Sequence, residues 1–130
     1  MAPGVFELNT SGLAAAYLTL YHADGSQTAE KVYVLNNGAV IANPVSLGSS
    51  TDQAYLSIFG TGIQDAGTAG VAVSVGGTSV VVKYAGSQGV FAGLDQVNVL
   101  LPHSLAGSGN VTVQLTANGL AANPVNITVQ

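Results

Sequence analysis

The sequence predicts an all-β protein: an immunoglobulin-like β-sandwich with an N-terminal β-hairpin extension. Helical periodicity is nearly absent, and short β-rich runs recur instead at a spacing of roughly 8–12 residues. Several of these runs are separated by dipeptides that favour tight hairpin turns, namely Asp24-Gly25, Asn37-Gly38, Gly76-Gly77 and Asn118-Gly119. About nine or ten short strands joined in this way are typical of a sandwich.

The first half of the chain is predicted to contain strands at residues 5–8, 15–22, 28–35 and 39–42. Asp24-Gly25 would join the second strand to the third, and Asn37-Gly38 the third to the fourth. A short edge segment is expected at residues 44–47. Pro44 suits a strand start or a sheet edge, because proline has no N–H to donate to a neighbouring strand.

The second half is more regular, with strands predicted at residues 54–59, 70–75, 79–84, 96–101, 110–116 and 125–129. A chain of 130 residues suits one compact domain. We place the immunoglobulin-like core at residues 51–130. Residues 1–50 are expected to form a strand-and-hairpin region packed on it.

Charge is scarce in this chain. Charged residues make up 6% of it, against about 25% in an average soluble domain. The net charge is −4, arginine is absent, and the only lysines are Lys31 and Lys83. Nucleic acid is therefore a poor candidate partner, because phosphate binding needs clustered basic residues. Membrane insertion is not expected either, since no apolar run approaches the roughly 20 residues of a spanning helix.

The candidate catalytic residues do not form a recognisable set. A hydrolase triad needs a nucleophile, a positioned histidine and an orienting acid. His22 is predicted at a strand end and His103 in a loop, and neither lies near a nucleophile motif. Cysteine is absent, which removes disulfides and thiolate chemistry. The sequence therefore predicts no enzyme, no catalytic residues and no cofactor.

Calcium is the metal that a sandwich loop would best accommodate, because Ca²⁺ takes carboxylate and carbonyl oxygens. The weak candidates for ligands are Asp24, Asp52, Asp65 and Asp95. No Asp-x-Asp pattern occurs, and scattered acids fall short of the roughly 6–8 oxygen ligands required. Turn or capping roles are the expected alternative, and for Asp95 a hydrogen bond to loop backbone. No metal site is predicted.

Two strands raise the question of which face is buried. If Val80, Val82 and Tyr84 point inward by period two, Lys83 points outward, which disfavours an isopeptide crosslink through this lysine. Tyr17, Thr19 and Tyr21 share one face of another strand, and Leu18 with Leu20 the opposite face. Exposed tyrosines there could stack on sugar rings, and the pattern leaves open which face is inward. Tyr17 and Tyr21 are the candidate ligand face.

A series of different short motifs covers almost the whole chain: Ala2-Pro3-Gly4-Val5-Phe6, Ala23-Asp24-Gly25-Ser26, Thr51-Asp52-Gln53, Ile58-Phe59-Gly60-Thr61-Gly62, Val75-Gly76-Gly77, Tyr84-Ala85-Gly86, Phe91-Ala92-Gly93-Leu94-Asp95-Gln96-Val97-Asn98-Val99, Leu101-Pro102, Ser104-Leu105-Ala106-Gly107 and Asn123-Pro124-Val125. Together they resemble the uncharacterised C-terminal domain that recurs in exported proteins of Solibacter and related acidobacteria. The resemblance implies an immunoglobulin-like fold of the IPT/TIG-related type and a secreted or cell-surface location in a bacterium. It implies no activity. The chain departs from the pattern in having fewer basic residues and in carrying His103 where arginine or alanine is commoner.

The sequence thus favours a non-catalytic structural or interaction module, the C-terminal domain of an exported surface protein. Its partner would be the remainder of that protein or another copy of the chain. One alternative is a subunit that self-assembles by β-strand addition, since few charges protect its sheet edges and residues 5–8 could complete a neighbour's sheet. Another alternative is a glycan-binding or adhesin module.

Overall fold

The computed structural model describes residues 3–64, 66–91 and 93–130. Within these ranges it contains twelve β-strands and two short 3-10 helices, Thr68–Gly70 and His103–Leu105. The strands are β1 Gly4–Val5, β2 Ala16–Tyr21, β3 Gln27–Lys31, β4 Tyr33–Asn36, β5 Ala39–Ala42, β6 Gln53–Thr61, β7 Val71–Val75, β8 Thr78–Ser87, β9 Asp95–Leu101, β10 Gly109–Ala117, β11 Leu120–Ala121 and β12 Val125–Val129. Among the residues that carry the family resemblance, Ala2 and Ala92 lie outside the described ranges.

The strands pair antiparallel in the order β3-β2-β6-β9-β8-β7-β10-β11, with β1 also on β6 and β12 also on β10. Strand β8 divides its pairing, because residues 78–80 pair with β7 and residues 81–87 pair with β9. We call β1, β2, β3, β6, β9 and residues 81–87 the first array, and residues 78–80, β7, β10, β11 and β12 the second array. Strands β4 and β5 form a separate hairpin.

One hydrophobic cluster joins the two arrays. Alternate residues of the strands enter it, as in β9, where Val97, Val99 and Leu101 are buried while the residues between them are half-buried. Strand β12 shows the same period with Val125, Ile127 and Val129. This period of two leaves one face of each array in the core and the other outward. The predicted all-β class is confirmed, and the antiparallel, β-rich structure fits a β-sandwich.

The hairpin turns have the backbone that their residues favour. Asn37 and Gly38 both have positive φ (51° and 80°), as do Asn118 and Gly119 (51° and 81°). Two consecutive residues with positive φ are the mark of a type I′ turn, which matches the twist of the strands it joins. The predicted strands at residues 39–42 and 125–129 have the observed bounds.

Three predicted strands differ from those observed, and one observed strand was not predicted. Residues 5–8 were predicted as one strand, but β1 covers Gly4–Val5 and Glu7 makes only an isolated bridge to Ala14. Residues 28–35 form two strands instead of one: Val32 is fully buried between them, so that β3 stays in the first array and β4 enters the separate hairpin. Residues 44–47 make only an isolated parallel bridge, between Val45 and Val129. Strand β11 was not predicted, because Leu120 and Ala121 are too short a run to show alternation.

The N-terminal segment is held in place by contacts with the rest of its own chain. Strand β1 pairs with the end of β6, and Val5 is buried. The Asn123 side chain accepts a hydrogen bond from the Val5 backbone N–H and donates one to the Val5 carbonyl, both at 2.9 Å. Strand β2 pairs along its length with β6, so residues on both sides of position 50 share one array. The boundary at residue 50 stays a prediction.

Candidate functional site

The outer face of the first array carries the tyrosines of β2. Leu18 and Leu20 point into the core with 0% and 5% exposure, whereas Tyr17 and Tyr21 are 38% and 41% exposed. This answers the question that the sequence left open. The leucines take the inward face because burying a large aliphatic side chain contributes about 1.5–3 kcal/mol to folding, and tyrosine tolerates a position where its hydroxyl meets water.

Strand β6 adds a second aromatic row beside β2. Tyr55 lies directly opposite Thr19, and its ring meets that of Tyr21 edge-on, with centroids 5.2 Å apart and planes at 87°. At the other end of the row, the rings of Tyr17 and Phe59 are 5.7 Å apart and tilted by 33°. Such edge-to-face and tilted contacts are favourable for aromatic pairs, so the rings hold each other in place on the outer face.

Strand β9 contributes amide side chains to the same face. Gln96 and Asn98 occupy the half-buried outward positions that alternate with the buried valines. The Gln96 Nε2 amide donates a hydrogen bond to Asn98 Oδ1 at 2.8 Å. Each amide has two donor hydrogens and two acceptor lone pairs, so this single bond leaves most of their hydrogen-bonding capacity for a ligand.

A β-bulge in β8 completes the site. Val82 pairs with Val99 and Tyr84 with Asn98, so Lys83 is an extra residue with no partner on β9. The prediction that Tyr84 points inward with Val80 and Val82 was therefore wrong: the bulge breaks the alternation, and Tyr84 is 41% exposed. Lys83 is exposed, as the alternation predicted.

The position of the Tyr84 ring is fixed by its neighbours. Its hydroxyl donates a 2.6 Å hydrogen bond to the Ser87 carbonyl. The ring also lies over Gly86, where a Cβ atom would come within 2.9 Å of the hydroxyl oxygen and 3.2 Å of the ring carbon that bears it. Only glycine leaves this space free, so Gly86 lets the ring lie close to the strand.

Strands β2, β6, β8 and β9 together form a groove with a volume of about 300 Å³. We call it the tyrosine groove. It is lined by Tyr17, Thr19, Tyr21, Tyr55, Ser57, Lys83, Tyr84, Gln96 and Asn98. Its volume is at the lower end of small-molecule sites, which span roughly 300–1,000 Å³. Aromatic rings with a few convergent amides and hydroxyls can stack on a ligand and fix its orientation by hydrogen bonds.

The sequence identified Tyr17 and Tyr21 but not their partners. Tyr55, Ser57, Gln96 and Asn98 lie on alternate positions of predicted strands, a signal that marks them as one face of each strand. That these faces adjoin depends on the strand order, which alternation alone does not give. Lys83 and Tyr84 share the site through the bulge, for which residues 79–84 carry no signal.

A second cluster lies at the end of β2. His22 Nδ1 is 3.0 Å from Asp52 Oδ1, and His22 Nε2 is 2.7 Å from Thr28 Oγ1. The sequence predicted His22 at a strand end but not its contact with the buried Asp52, because Asp52 is 30 residues away. The order carboxylate, imidazole, hydroxyl is that of a hydrolase triad. A working triad also needs oxyanion donors and a place for substrate beside the hydroxyl, and the tyrosine groove does not border Thr28.

Asp52 has a second contact that explains its position. Its Oδ2 accepts a 2.9 Å hydrogen bond from the Ser49 backbone N–H, closing the turn at residues 49–52. This bond, followed by that from His22, lowers the pKa of the Asp52 carboxyl below its ordinary value of 3.8. The cluster thus ties the loop before β6 to the end of β2.

The two other calcium candidates that the structure describes, Asp24 and Asp95, have different hydrogen-bond partners. Asp24 accepts bonds from the Ser26 hydroxyl at 2.6 Å and the Ser26 backbone N–H at 2.9 Å, which lower its pKa. Asp95 is buried and accepts bonds from the Ile63 and Gln64 backbone N–H groups, at 2.8 and 3.0 Å. Asp65 lies outside the described residues. In the described part of the chain, no three His, Asp or Glu side chains are grouped so as to hold a metal ion.

Comparisons of the chain with protein-family models, with curated proteins and with solved structures find no match. Across residues 3–64, 66–91 and 93–130, no helix has the length and apolar character needed to span a membrane.

Proposed function

We propose that this chain is a non-catalytic, immunoglobulin-like β-sandwich module that binds carbohydrate in the tyrosine groove. The observation that carries the proposal is the gathering of four tyrosines, Tyr17, Tyr21, Tyr55 and Tyr84, around one groove on the outer face of a sheet. A sugar ring presents an apolar C–H face and a rim of hydroxyls. Tyrosine suits both, since its ring stacks and its hydroxyl stays hydrogen-bonded.

The polar residues of the groove match the rim of a sugar. Gln96 and Asn98 can each donate and accept hydrogen bonds, as sugar hydroxyls do, and Thr19 with Ser57 adds hydroxyls between the rings. These polar groups stand on paired strands, which hold them rigidly. A rigid, preformed site loses little conformational entropy when a ligand binds.

A peptide ligand is a poorer match for this surface. Extended peptides commonly bind by adding a strand to a free sheet edge. Three of the four strands of the groove are already paired on both sides: β2 with β3 and β6, β6 with β2 and β9, and β9 with β6 and β8. Residues 81–87 of β8 pair with β9 alone. Along β2, β6 and β9, only side chains are therefore offered to the ligand.

We further propose that the module is the C-terminal domain of an exported bacterial surface protein, where it would bring its host protein to a glycan. The support for this setting is the family resemblance. The low charge content is compatible with it, because serine, threonine, asparagine and glutamine supply most of the polar surface.

A glycan screen tests the proposal. Fluorescently labelled protein is applied to an array of bacterial, plant and algal oligosaccharides beside a Tyr21→Ala variant and a Phe91→Ala variant. Phe91 is a matched control because it is aromatic and 66% exposed but lies outside the groove. We expect a set of glycans that the wild type and Phe91→Ala bind equally and that Tyr21→Ala binds about fivefold more weakly, since loss of one ring costs about 1 kcal/mol. Equal signals from all three proteins, or no signal from any, would overturn the proposal.

Self-assembly is a second candidate function, favoured by the β4–β5 hairpin. This hairpin pairs only with itself and exposes Val34 (41%), Leu35 (68%) and Ile41 (41%). Donation of residues 5–8 to a neighbour is the less favourable route, because Val5 is already paired and clasped by Asn123. Light scattering after size-exclusion chromatography tests this candidate. A Leu35→Ser variant should shift an oligomer towards monomer, and a wild-type monomer at millimolar concentration removes the idea.

A further inference from the structure

Lys83 has an unusual place in the tyrosine groove. It is the extra residue of the β8 bulge, is exposed, and is the one charged residue among the nine that line the groove. Bulges often re-aim a side chain next to a functional site. In a regular strand, Lys83 and Tyr84 would point to opposite faces of the sheet. Here the bulge lets both line the groove, so that a cation lies beside Tyr84.

The charge of Lys83 is not matched by a carboxylate of the groove. The described acidic residues are Glu7, Asp24, Glu30, Asp52 and Asp95, and none of them lines it. Within the described residues an ion pair joins His22 and Asp52 at 3.0 Å, and it does not involve Lys83. The second lysine, Lys31, lies on β3 with its ammonium 5.6 Å from the centre of the Tyr33 ring. Lys83 is thus available to a ligand, whereas Lys31, which lies opposite Tyr17 in the β2–β3 pair, does not line the groove and has its ammonium beside Tyr33.

We propose that the glycan bound in the tyrosine groove carries a carboxylate, as uronate sugars do, and that this carboxylate accepts a hydrogen bond from the Lys83 ammonium. The inference rests on the proposed function, because it names the class of sugar that the same groove takes. The tyrosine rings stack on the sugar faces, and Lys83 selects the acidic unit. Since the chain has a net charge of −4, attraction of polyanions by the whole protein does not explain such a preference.

The strength of an ion pair and its screening by salt set the expected size of the preference for acidic over uncharged sugars. A partly exposed ion pair contributes at most about a fivefold gain in affinity, and screening by salt reduces it. An acidic oligosaccharide should therefore bind about fivefold more tightly than its uncharged counterpart at low ionic strength. The difference should shrink towards twofold or less at about 1 M salt, where the screening length is about 3 Å.

Matched ligands make the test specific. Oligosaccharides of galacturonate, glucuronate and mannuronate are each compared with the same oligosaccharide after chemical reduction of its carboxyl groups to alcohols. Affinities are measured by isothermal titration calorimetry with the wild-type chain. Each pair differs only in the carboxylate, so a preference for the acid reports the ion pair and not the stacking.

Matched variants locate the preference. Lys83→Gln and Lys31→Gln remove the same charge from the same net total, but only the first removes a residue that lines the groove, since Lys31 lies opposite Tyr17 without lining it. We expect Lys83→Gln to bind the acidic and the reduced ligand equally, Lys31→Gln to keep the roughly fivefold preference, and Lys83→Arg to retain most of it. Tyr21→Ala should weaken both ligands alike. Thermal unfolding of each variant confirms that it is folded.

The outcomes separate this inference from the proposed function. If the wild type binds acidic and reduced ligands equally and Tyr21→Ala weakens binding of both, the groove binds sugar but Lys83 does not select a carboxylate, and this inference is overturned alone. A preference that survives Lys83→Gln overturns it as well. If no glycan of any kind binds, the proposed function falls together with it.

Discussion

Lys83 and Tyr84 are consecutive residues of one strand, yet both side chains line the same groove. In a regular strand, neighbours point to opposite faces. The bulge between Val82 and Tyr84 removes that constraint, because Lys83 has no partner on β9 and Tyr84 takes the outward place opposite Asn98. One inserted residue thus gives the groove both its cation and its fourth tyrosine.

Gly86→Ala should weaken glycan binding without unfolding the protein. The added methyl group would lie 2.9 Å from the Tyr84 hydroxyl and so push the ring aside, out of its hydrogen bond with the Ser87 carbonyl. Because the contact is with the far end of a side chain, we expect little loss of stability, within about 0.5 kcal/mol. Affinity, measured by calorimetry, should fall about threefold, which is less than the roughly fivefold loss expected if the whole ring were removed.

A double-mutant cycle shows whether Gly86 acts through Tyr84. In a Tyr84→Ala background the Gly86→Ala change has no ring to displace, so it should leave the affinity unchanged. A full threefold loss in that background would show that Gly86 matters for another reason.

Asn123→Ala should loosen the N-terminus. The side chain makes two hydrogen bonds with the Val5 backbone, and each is worth about 0.5–1.5 kcal/mol net. We therefore expect the free energy of unfolding to fall by about 1–3 kcal/mol, measured by urea denaturation. Asn123→Asp keeps the acceptor but sets a carboxylate oxygen against the Val5 carbonyl, so it should also be destabilising at neutral pH. An Asn123→Ala variant as stable as the wild type would show that the clasp does not hold β1.

The Asp52 carboxylate should stabilise the protein at neutral pH and cease to do so in acid. Hydrogen bonds from the Ser49 N–H and His22 lower its folded pKa below the ordinary value of 3.8. The unfolded chain therefore binds the proton more readily, and this contribution to stability is present above about pH 4 and is lost as the pH falls through the folded pKa.

Asp52→Asn tests that assignment. The variant lacks the titrating group, so its urea midpoint should decline less between pH 5 and pH 2.5 than that of the wild type. Asp24→Asn provides a comparison, since the pKa of Asp24 is also lowered, by the hydroxyl and N–H of Ser26. If the decline in Asp52→Asn parallels that of the wild type throughout this range, the Asp52 contacts do not contribute.

Local chemistry made much of the fold predictable. Asn37-Gly38 and Asn118-Gly119 predict turns because these residues tolerate positive φ. The alternation of valines in residues 96–101 and 125–129 predicts strands with one buried face. The division at Val32 was not visible, since a buried valine inside a β-rich run looks like a continuing strand. The strand is divided at Val32 because the chain leaves the first array there and β4 pairs with β5 instead.

The site was harder to foresee than the fold. Tyr17 and Tyr21 were visible as one face of a strand, but burial of Leu18 and Leu20 was needed to turn them outward. Tyr55 and Tyr84 come from strands that are distant in sequence and meet them only through the order β2-β6-β9-β8. The Asp52–His22 pair likewise depends on a contact across 30 residues, which no local pattern encodes.

The central claim is that the tyrosine groove binds carbohydrate by stacking, and calorimetry of a double variant tests it most directly. For the glycan bound most tightly by the wild type, loss of each ring should cost about 1 kcal/mol, so Tyr21→Ala/Tyr84→Ala should bind roughly 25-fold more weakly. Phe91→Ala should bind like the wild type. A double variant that retains affinity within twofold, or a Phe91→Ala variant that loses as much, would contradict the claim.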